Sequence, residues 1–231
     1  MTTPDFLPSE GELSFTQARA VLRDYLEVIE EVLRSLQVEL SAEEEARVRA
    51  QAPADPSLSD AMVKIYQMRR RDEVKRAFQF TYRSFIVIVA STLEVQARTF
   101  CDALLTHKKQ SDRWTDLGGS NALDRLNKCA CELGGLVKPA DQFWLAAKSL
   151  EQIRDCIVHA NGEVTGSRNE TNLRAIVNQV PGYGIDAEGS IILDEAIGRH
   201  AIVVFSSLFY HLYEHAELPG ILLPTGPGST A

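Results

Sequence analysis

Apolar residues recur every three or four positions along most of the chain, which is the spacing of amphipathic helices. One such stripe begins after Ser14, a suitable N-cap, and predicts a first helix that runs to Leu40. Ser41 and Glu44 then have the spacing of a capping box, in which each residue bonds to the backbone of the other. This pair predicts the start of a short second helix.

A long segment without proline or glycine, 59–109, predicts a third helix, and Pro53 and Pro56 before it are expected to end the second. The centre of this segment, 85–90, is β-branched and would also fit a buried strand, but helix-forming residues flank it on both sides. A helix that is apolar nearly all round belongs at the centre of a bundle. Because the segment is long for one helix, we expect a break near Arg71-Asp72.

The second half of the chain contains shorter patterns separated by glycine and proline. They predict a helix from Ser120 or Asn121 to Leu133, one from Pro139 to His159 that stops at Asn161-Gly162, a short helix over 170–180, a hairpin over 182–193 and a last helix over 194–216. The whole pattern predicts an all-α, multi-helix antiparallel bundle with one small β-hairpin before the last helix. We expect a single helical domain over 14–217, of which 14–58 is an N-terminal extension, between a flexible arm (1–13) and a flexible tail (218–231).

Charge is distributed unevenly along this acidic chain, whose net charge is −8. Acidic residues are concentrated in 1–48, whereas 64–83 is basic. A local basic patch can bind a polyanion even in an acidic protein, although a solvated helix face explains the same pattern. Four aromatic residues follow the basic run and could stack on RNA bases or pack in the core: Phe78, Phe80, Tyr82 and Phe85. The residues predicted to contact RNA are Arg69, Arg70, Arg71, Lys75, Arg76 and Arg83.

Other features narrow the class of protein. We found no secretory signal and no uninterrupted apolar run long enough for a membrane span, so we expect a cytoplasmic protein that does not bind membranes. The chain also contains no phosphate-cradling glycine-rich loop and no nucleophile elbow. His211 and His215 have a spacing that could bind a metal, but no third ligand follows at an informative spacing, and we predict neither metal nor cofactor. Four cysteines without a Cys-x-x-Cys pair are expected to be reduced thiols: Cys101, Cys129, Cys131 and Cys156.

The clearest candidate chemistry lies at the end of the helix that precedes Asn161-Gly162. Arg154 provides a permanent cation whose fork of donors suits a phosphate, and His159 can transfer a proton near neutral pH. Asp155 is four residues before His159 and therefore shares a helix face with it. These residue types can cleave a phosphodiester without a metal.

The segment 150–162, with Arg154, Asp155 and His159, resembles the signature of the HEPN superfamily. Members are helical bundles, and many are metal-independent endoribonucleases of toxin–antitoxin, antiphage and RNA-processing systems. Their motif is an arginine, a polar residue, three further positions and a histidine on one of the last long helices. The Ser-x-x-Glu that ends at Glu94 is a second likeness, and we take Glu94 and Asn161 as supporting residues. The likeness covers about 74–216.

The resemblance implies a mechanism and partners. His159 would activate the 2′-hydroxyl of RNA or protonate the leaving oxygen, Arg154 would stabilise the phosphorane, and Asp155 would orient His159. Because one histidine cannot easily be both base and acid, the family's two-fold dimer implies a homodimer with two facing motifs. An antitoxin or another defence-system component is a further implied partner.

One position departs from the family pattern. Some HEPN toxins have, two residues after the histidine, a tyrosine that a partner antitoxin modifies, whereas this chain has Asn161. The alternative function is a non-catalytic HEPN-like module that binds RNA, a nucleotide or a partner protein, and a purely structural bundle is the third. A nuclease requires Arg154 and His159 to face solvent in a cleft near their dimer mates.

Overall fold

A computed structural model describes residues 14–36, 40–51, 56–216 and 218. Within them, seven α-helices pack against one another, and one two-stranded antiparallel hairpin precedes the last helix. The predicted all-α bundle with one hairpin is therefore confirmed. The arm predicted over 1–13 lies outside the described residues. Of the tail predicted over 218–231, the structure describes Leu218, which packs against the core.

The elements follow one another along the chain without long insertions. They are α1 (Phe15–Ser35), α2 (Ala42–Gln51), α3 (Pro56–His107), a 3-10 turn (Trp114–Asp116), α4 (Ala122–Asn127) with a π-helical turn (Lys128–Leu133), α5 (Asp141–Ala160), α6 (Glu170–Gln179), β1 (Tyr183–Ile185), β2 (Ile191–Leu193) and α7 (Ala196–Ala216). In the hairpin, Tyr183 pairs with Leu193 and Ile185 with Ile191.

Several helix ends match local signals in the sequence. The Ser14 hydroxyl accepts a hydrogen bond from the Gln17 N–H, as an N-cap does. The capping box at the start of α2 is present, since Ser41 N–H donates to the Glu44 carboxylate and Glu44 N–H donates to the Ser41 hydroxyl. Asn121 caps α4 by accepting from the Asp124 N–H.

The break predicted near Arg71-Asp72 is wrong, because α3 is continuous over 52 residues. Its N-terminal half is supported by α2, which lies alongside it. The Gln67 amide donates to the Glu45 carboxylate over 3.0 Å, and Arg49 forms an ion pair with Asp60. This lateral support comes from tertiary packing, which the periodicity of one segment does not reveal.

Four other helix boundaries differ from the predictions. Helix α1 ends at Ser35 rather than Leu40, since Leu36 adopts an extended backbone. Pro56 begins α3 instead of ending α2, because proline has no N–H to lose at the first turn of a helix. The α-helix that starts after Asn121 gives way to the π-helical turn before Leu133. Asp194 precedes α7 and accepts from the Ala196 N–H.

The core is built around the second half of α3, so the strand alternative for 85–90 is excluded. Phe85, Ile86 and Val89 are fully buried there. The α1 segment is part of the same core, because Phe15 contacts the rings of Phe205 and Phe209 on α7. Helix α3 also has the length and apolar composition of a membrane span, with half of the apolar window buried in the bundle.

Candidate functional site

The end of α5 has the geometry of a left-handed helix stop. Asn161 has φ of 51° and Gly162 has φ of 82°. The Asn161 and Gly162 N–H groups both donate to the Cys156 carbonyl, the second over 2.9 Å, so the residues after the helix satisfy a carbonyl of its last turn. The stop predicted from Asn161-Gly162 is confirmed, and it fixes where the chain leaves the helix just after His159.

Arg83 on α3 holds this helix end in place. Its guanidinium donates to the Asn161 carbonyl over 3.0 Å and to the Ile191 carbonyl of β2 over 2.6 Å. The space is tight, since a Cβ atom at Gly162 would lie 3.1 Å from the Arg83 guanidinium carbon. Arg83 was predicted to contact RNA, but two of its donor groups serve to join α3, α5 and the hairpin.

Arg154 and Asp155 form an ion pair with each other, with 3.0 Å between Nη1 and Oδ1. The Arg154 side chain is 24% exposed, and its Nε is buried without a hydrogen-bond partner among the described residues. The sequence placed Asp155 on the same helix face as His159, yet its carboxylate is directed to the arginine. Asp155 therefore positions Arg154 rather than His159 in a single chain.

His159 is exposed and makes no hydrogen bond or ion pair with another described residue. It lies about 140° around the helix from Arg154, because successive residues are separated by 100°. Val158, which is half exposed, occupies the outer surface between them. Arg154 and His159 consequently lie on opposite flanks of the last turns of α5.

Glu151 is a buried acid that the sequence analysis missed. It lies one turn before Asp155 and is 8% exposed. Burial raises the pKa of the Glu151 carboxyl to about 7, and the nearby charge of Asp155 adds to the rise. A hydrogen bond with the Leu123 backbone of α4 and the charge of Arg154 act in the opposite direction. Its position directly after Leu150, beside the apolar stripe of α5, was the sequence signal that could have predicted its burial.

Glu94 lies on α3 and is exposed. Positions seven or eleven residues apart on a helix share a face, so Glu94 is aligned with Val87 and Arg83. This is also the face of α3 that flanks the end of α5. No hydrogen bond or ion pair joins Glu94 to Arg154 among the described residues, and its supporting role stays a prediction.

A groove of about 940 Å³ lies between α3, the end of α5 and the hairpin. Neither Arg154 nor His159 lines it. Its α3 wall carries Asp72, Lys75, Arg76, Gln79, Phe80, Arg83, Ser84, Val87 and Ile88, and its other walls carry Ile157, Asn161, Asp186, Glu188 and Ile192. The basic members were predicted from the sequence, but the two hairpin acids were not, because the hairpin approaches α3 through contacts distant in sequence.

The predicted RNA-binding residues do not form one patch. Arg69, Arg70 and Arg71 are consecutive, so they project from α3 in three directions. Arg69 lies over the Tyr66 ring at 6.0 Å. Ser41 lowers the pKa of Glu44 on α2 through hydrogen bonds, and the charge of Arg70 contributes to the same shift. Of the six residues, the groove brings together Lys75, Arg76 and Arg83.

The remaining candidates are the two histidines of the last helix and the four cysteines. The rings of His211 and His215 stack with centroids 4.1 Å apart, and the part of the chain that the structure describes contains no cluster of three residues able to hold a metal. All four cysteines are unpaired, and Cys101, Cys129 and Cys156 are buried.

In comparisons with known proteins, no family model, curated protein or solved structure matched this chain. The resemblance to HEPN proteins therefore rests on the residues of 150–162 and on Glu94.

Proposed function

We propose that the protein is a metal-independent endoribonuclease whose catalytic site is completed by a second copy of the chain. The observation that carries this proposal is the end of α5. There, an exposed histidine with no hydrogen-bond partner among the described residues lies just beyond a partly buried arginine. A toxin or antiphage effector, acting in the cytoplasm, is the biological class that this activity fits.

The reaction divides between the two residue types. The imidazole of His159 in one copy removes the proton of an RNA 2′-hydroxyl, and the 2′-oxygen forms a bond to the adjacent phosphorus. The bond from phosphorus to the 5′-oxygen then breaks, and that oxygen takes a proton from the imidazolium of the second copy. The products are a 2′,3′-cyclic phosphate and a free 5′-hydroxyl, and no metal or cofactor enters the step.

Arg154 stabilises the additional negative charge of the phosphorane. In the single chain this guanidinium donates to Asp155, which holds its fork at the edge of the helix. The Asp155 side chain is 55% exposed. Ion pairs that are open to solvent are weak, so a phosphate can displace this carboxylate. Asp155 thus acts as a positioning residue for Arg154.

The positions of Arg154 and His159 on α5 support the involvement of a second copy. With Arg154 and His159 on opposite flanks of the helix, one phosphate reaches both types of side chain when two helix ends face each other across a two-fold axis. Val158 lies between the flanks and offers an apolar contact at that axis. An antitoxin or defence partner is part of the same proposal and would act on this assembled surface.

A non-catalytic RNA-binding module is the second candidate. The pairing of Arg154 with Asp155 favours it, because this contact occupies the arginine that a nuclease would use. The groove on α3 would then be the functional surface.

A cleavage assay distinguishes the two functions. Purified protein is incubated with tRNA, rRNA and mRNA in the presence of EDTA, and the ends of the products are mapped. We expect 2′,3′-cyclic phosphate ends, and we expect His159→Ala and Arg154→Ala each to abolish them while circular dichroism stays unchanged. His107→Ala, which changes an exposed histidine at the end of α3, should cleave normally. Intact RNA with the wild-type protein, or full activity of His159→Ala, would exclude the nuclease.

A further inference from the structure

Two polar residues of α3, Gln79 and Arg83, join the walls of the groove through hydrogen bonds. The Gln79 amide donates to the Leu193 carbonyl over 2.7 Å and its oxygen accepts from the Leu193 N–H over 2.8 Å. Arg83 adds its bonds to β2 and to Asn161. The hairpin and the end of α5 are thereby fixed against α3, so the groove exists before any ligand binds.

Phe80 is an exposed aromatic residue in the wall of the groove. It is 74% exposed on a helix face, one turn after Arg76 and one turn before Ser84. A large aromatic side chain this exposed adds little to the core. The described cation–π contacts belong to Tyr66 and Trp114, so no guanidinium covers the Phe80 ring. The ring face is available to stack on a flat ligand.

Charged residues of opposite sign line the two walls of the groove. Lys75 and Arg76 on the α3 wall are exposed and make no hydrogen bond or ion pair with another described residue. Asp186 and Glu188 lie on the hairpin wall. Asp186 accepts from the Ser190 N–H over 2.7 Å, whereas Glu188 is exposed and has no such partner among the described residues. Asp72 at the rim offsets part of the positive charge.

We propose that this groove binds one nucleotide of single-stranded RNA, an inference that rests on the proposed function for the identity of the polymer. The base stacks on Phe80, the phosphate contacts Lys75 and Arg76, and Glu188 accepts a hydrogen bond from an amino group on the base. Aromatic faces beside cations are the combination with which proteins hold single strands. The acidic wall, which would repel a second phosphate, limits the site to one nucleotide.

Glu188 gives the site a base preference. Cytosine carries an exocyclic amino group that donates to a carboxylate, whereas uracil presents a carbonyl oxygen at the same position. The groove therefore selects cytidine over uridine. Asn161 lines the groove two residues after His159, so a strand that leaves this site passes the end of α5.

Binding is measured separately from cleavage with labelled 2′-O-methyl oligonucleotides of cytidine and of uridine. These cannot undergo transphosphorylation, because the 2′-oxygen carries no proton. By fluorescence anisotropy, we expect tighter binding of the cytidine strand and a loss of about tenfold for Phe80→Ala. Phe80→Trp should retain affinity, and Phe80→Leu should lose it despite its apolar side chain.

Charge variants test the other two contacts. Lys75→Gln should lower the dependence of log affinity on log salt by about 0.7, the contribution of one phosphate contact on a single strand. Lys108→Gln is the matched control, since this exposed lysine follows the far end of α3 and does not line the groove. Glu188→Gln should reduce the preference for cytidine, because its amide can also donate to the uracil carbonyl.

Three outcomes would overturn the site. They are unchanged affinity in Phe80→Ala, equal effects of Lys75→Gln and Lys108→Gln, or loss of self-association instead of RNA binding in Phe80→Ala by sedimentation velocity. The last result would make the groove a protein interface. If the wild type binds RNA through Phe80 but does not cleave it, the nucleotide site is supported and the nuclease is excluded. If cleavage depends on His159 but binding does not depend on Phe80, the nuclease is supported and the nucleotide site is excluded.

Discussion

Burial of the Glu151 carboxyl destabilises the folded protein by an amount that depends on pH. Its pKa rises in the folded protein from an ordinary value near 4.5 to about 7. The folded state therefore binds this proton more tightly than the unfolded chain does, and stability falls as pH rises between those two values. Below this range the carboxyl is neutral in both states, and above it the full cost of the buried charge is present.

We expect Glu151→Gln to be as stable as the wild type at pH 4 and more stable at pH 8, by on the order of 3 kcal/mol. Urea unfolding at the two pH values measures the difference. Glu73→Gln removes an exposed carboxylate of α3 and controls for the loss of one negative charge. Equal stability gains at both pH values would contradict the assignment of the cost to ionisation.

At the scale of elements, the hairpin is attached to α3 largely through side chains. Gln79 satisfies both backbone groups of Leu193, so Gln79→Ala leaves a donor and an acceptor without partners. We expect a loss of about 1–3 kcal/mol and faster exchange of the Leu193 amide hydrogen. Denaturant unfolding and hydrogen exchange measure these effects. Gln142→Ala, at an exposed position of α5, should change neither, and protection of Leu193 that survives in Gln79→Ala would show that other contacts hold the hairpin.

The elements that could be predicted are those with local signals. Three such signals act within one turn of the chain: Ser14, the Ser41–Glu44 box and the Asn161-Gly162 stop. The structure confirms the helix ends that they predicted. The break near Arg71 failed because α2 supports α3 from outside that segment. The groove was not predictable, since Arg83 reaches Asn161 across 78 residues and Ile191 across 108. The residues of the candidate motif were found, but the 100° step of a helix puts Arg154 and His159 on different flanks of α5, and the guanidinium of Arg154 pairs with Asp155.

At the scale of the whole molecule, the proposed nuclease depends on two copies. If each site needs both copies of His159, a dimer of one wild-type and one His159→Ala chain is inactive. With saturating RNA and free exchange of subunits, adding an equal amount of His159→Ala should reduce the cleavage rate to about half. Adding the same amount of a Lys64→Gln, His159→Ala double variant should give the same reduction, because Lys64 lies away from α5. An unchanged rate would place the complete site in a single chain.

The two hydrogen bonds of Arg83 also determine when the groove can form during synthesis of the chain. Its two carbonyl partners lie far downstream, and the second is in β2, so a growing chain has the basic helix face long before it has the opposite wall. The groove cannot close until residue 191 has emerged from the ribosome. A nascent chain, or a product truncated before the hairpin, displays Phe80 and its neighbouring cations on an open helix without the acidic wall that would select a base.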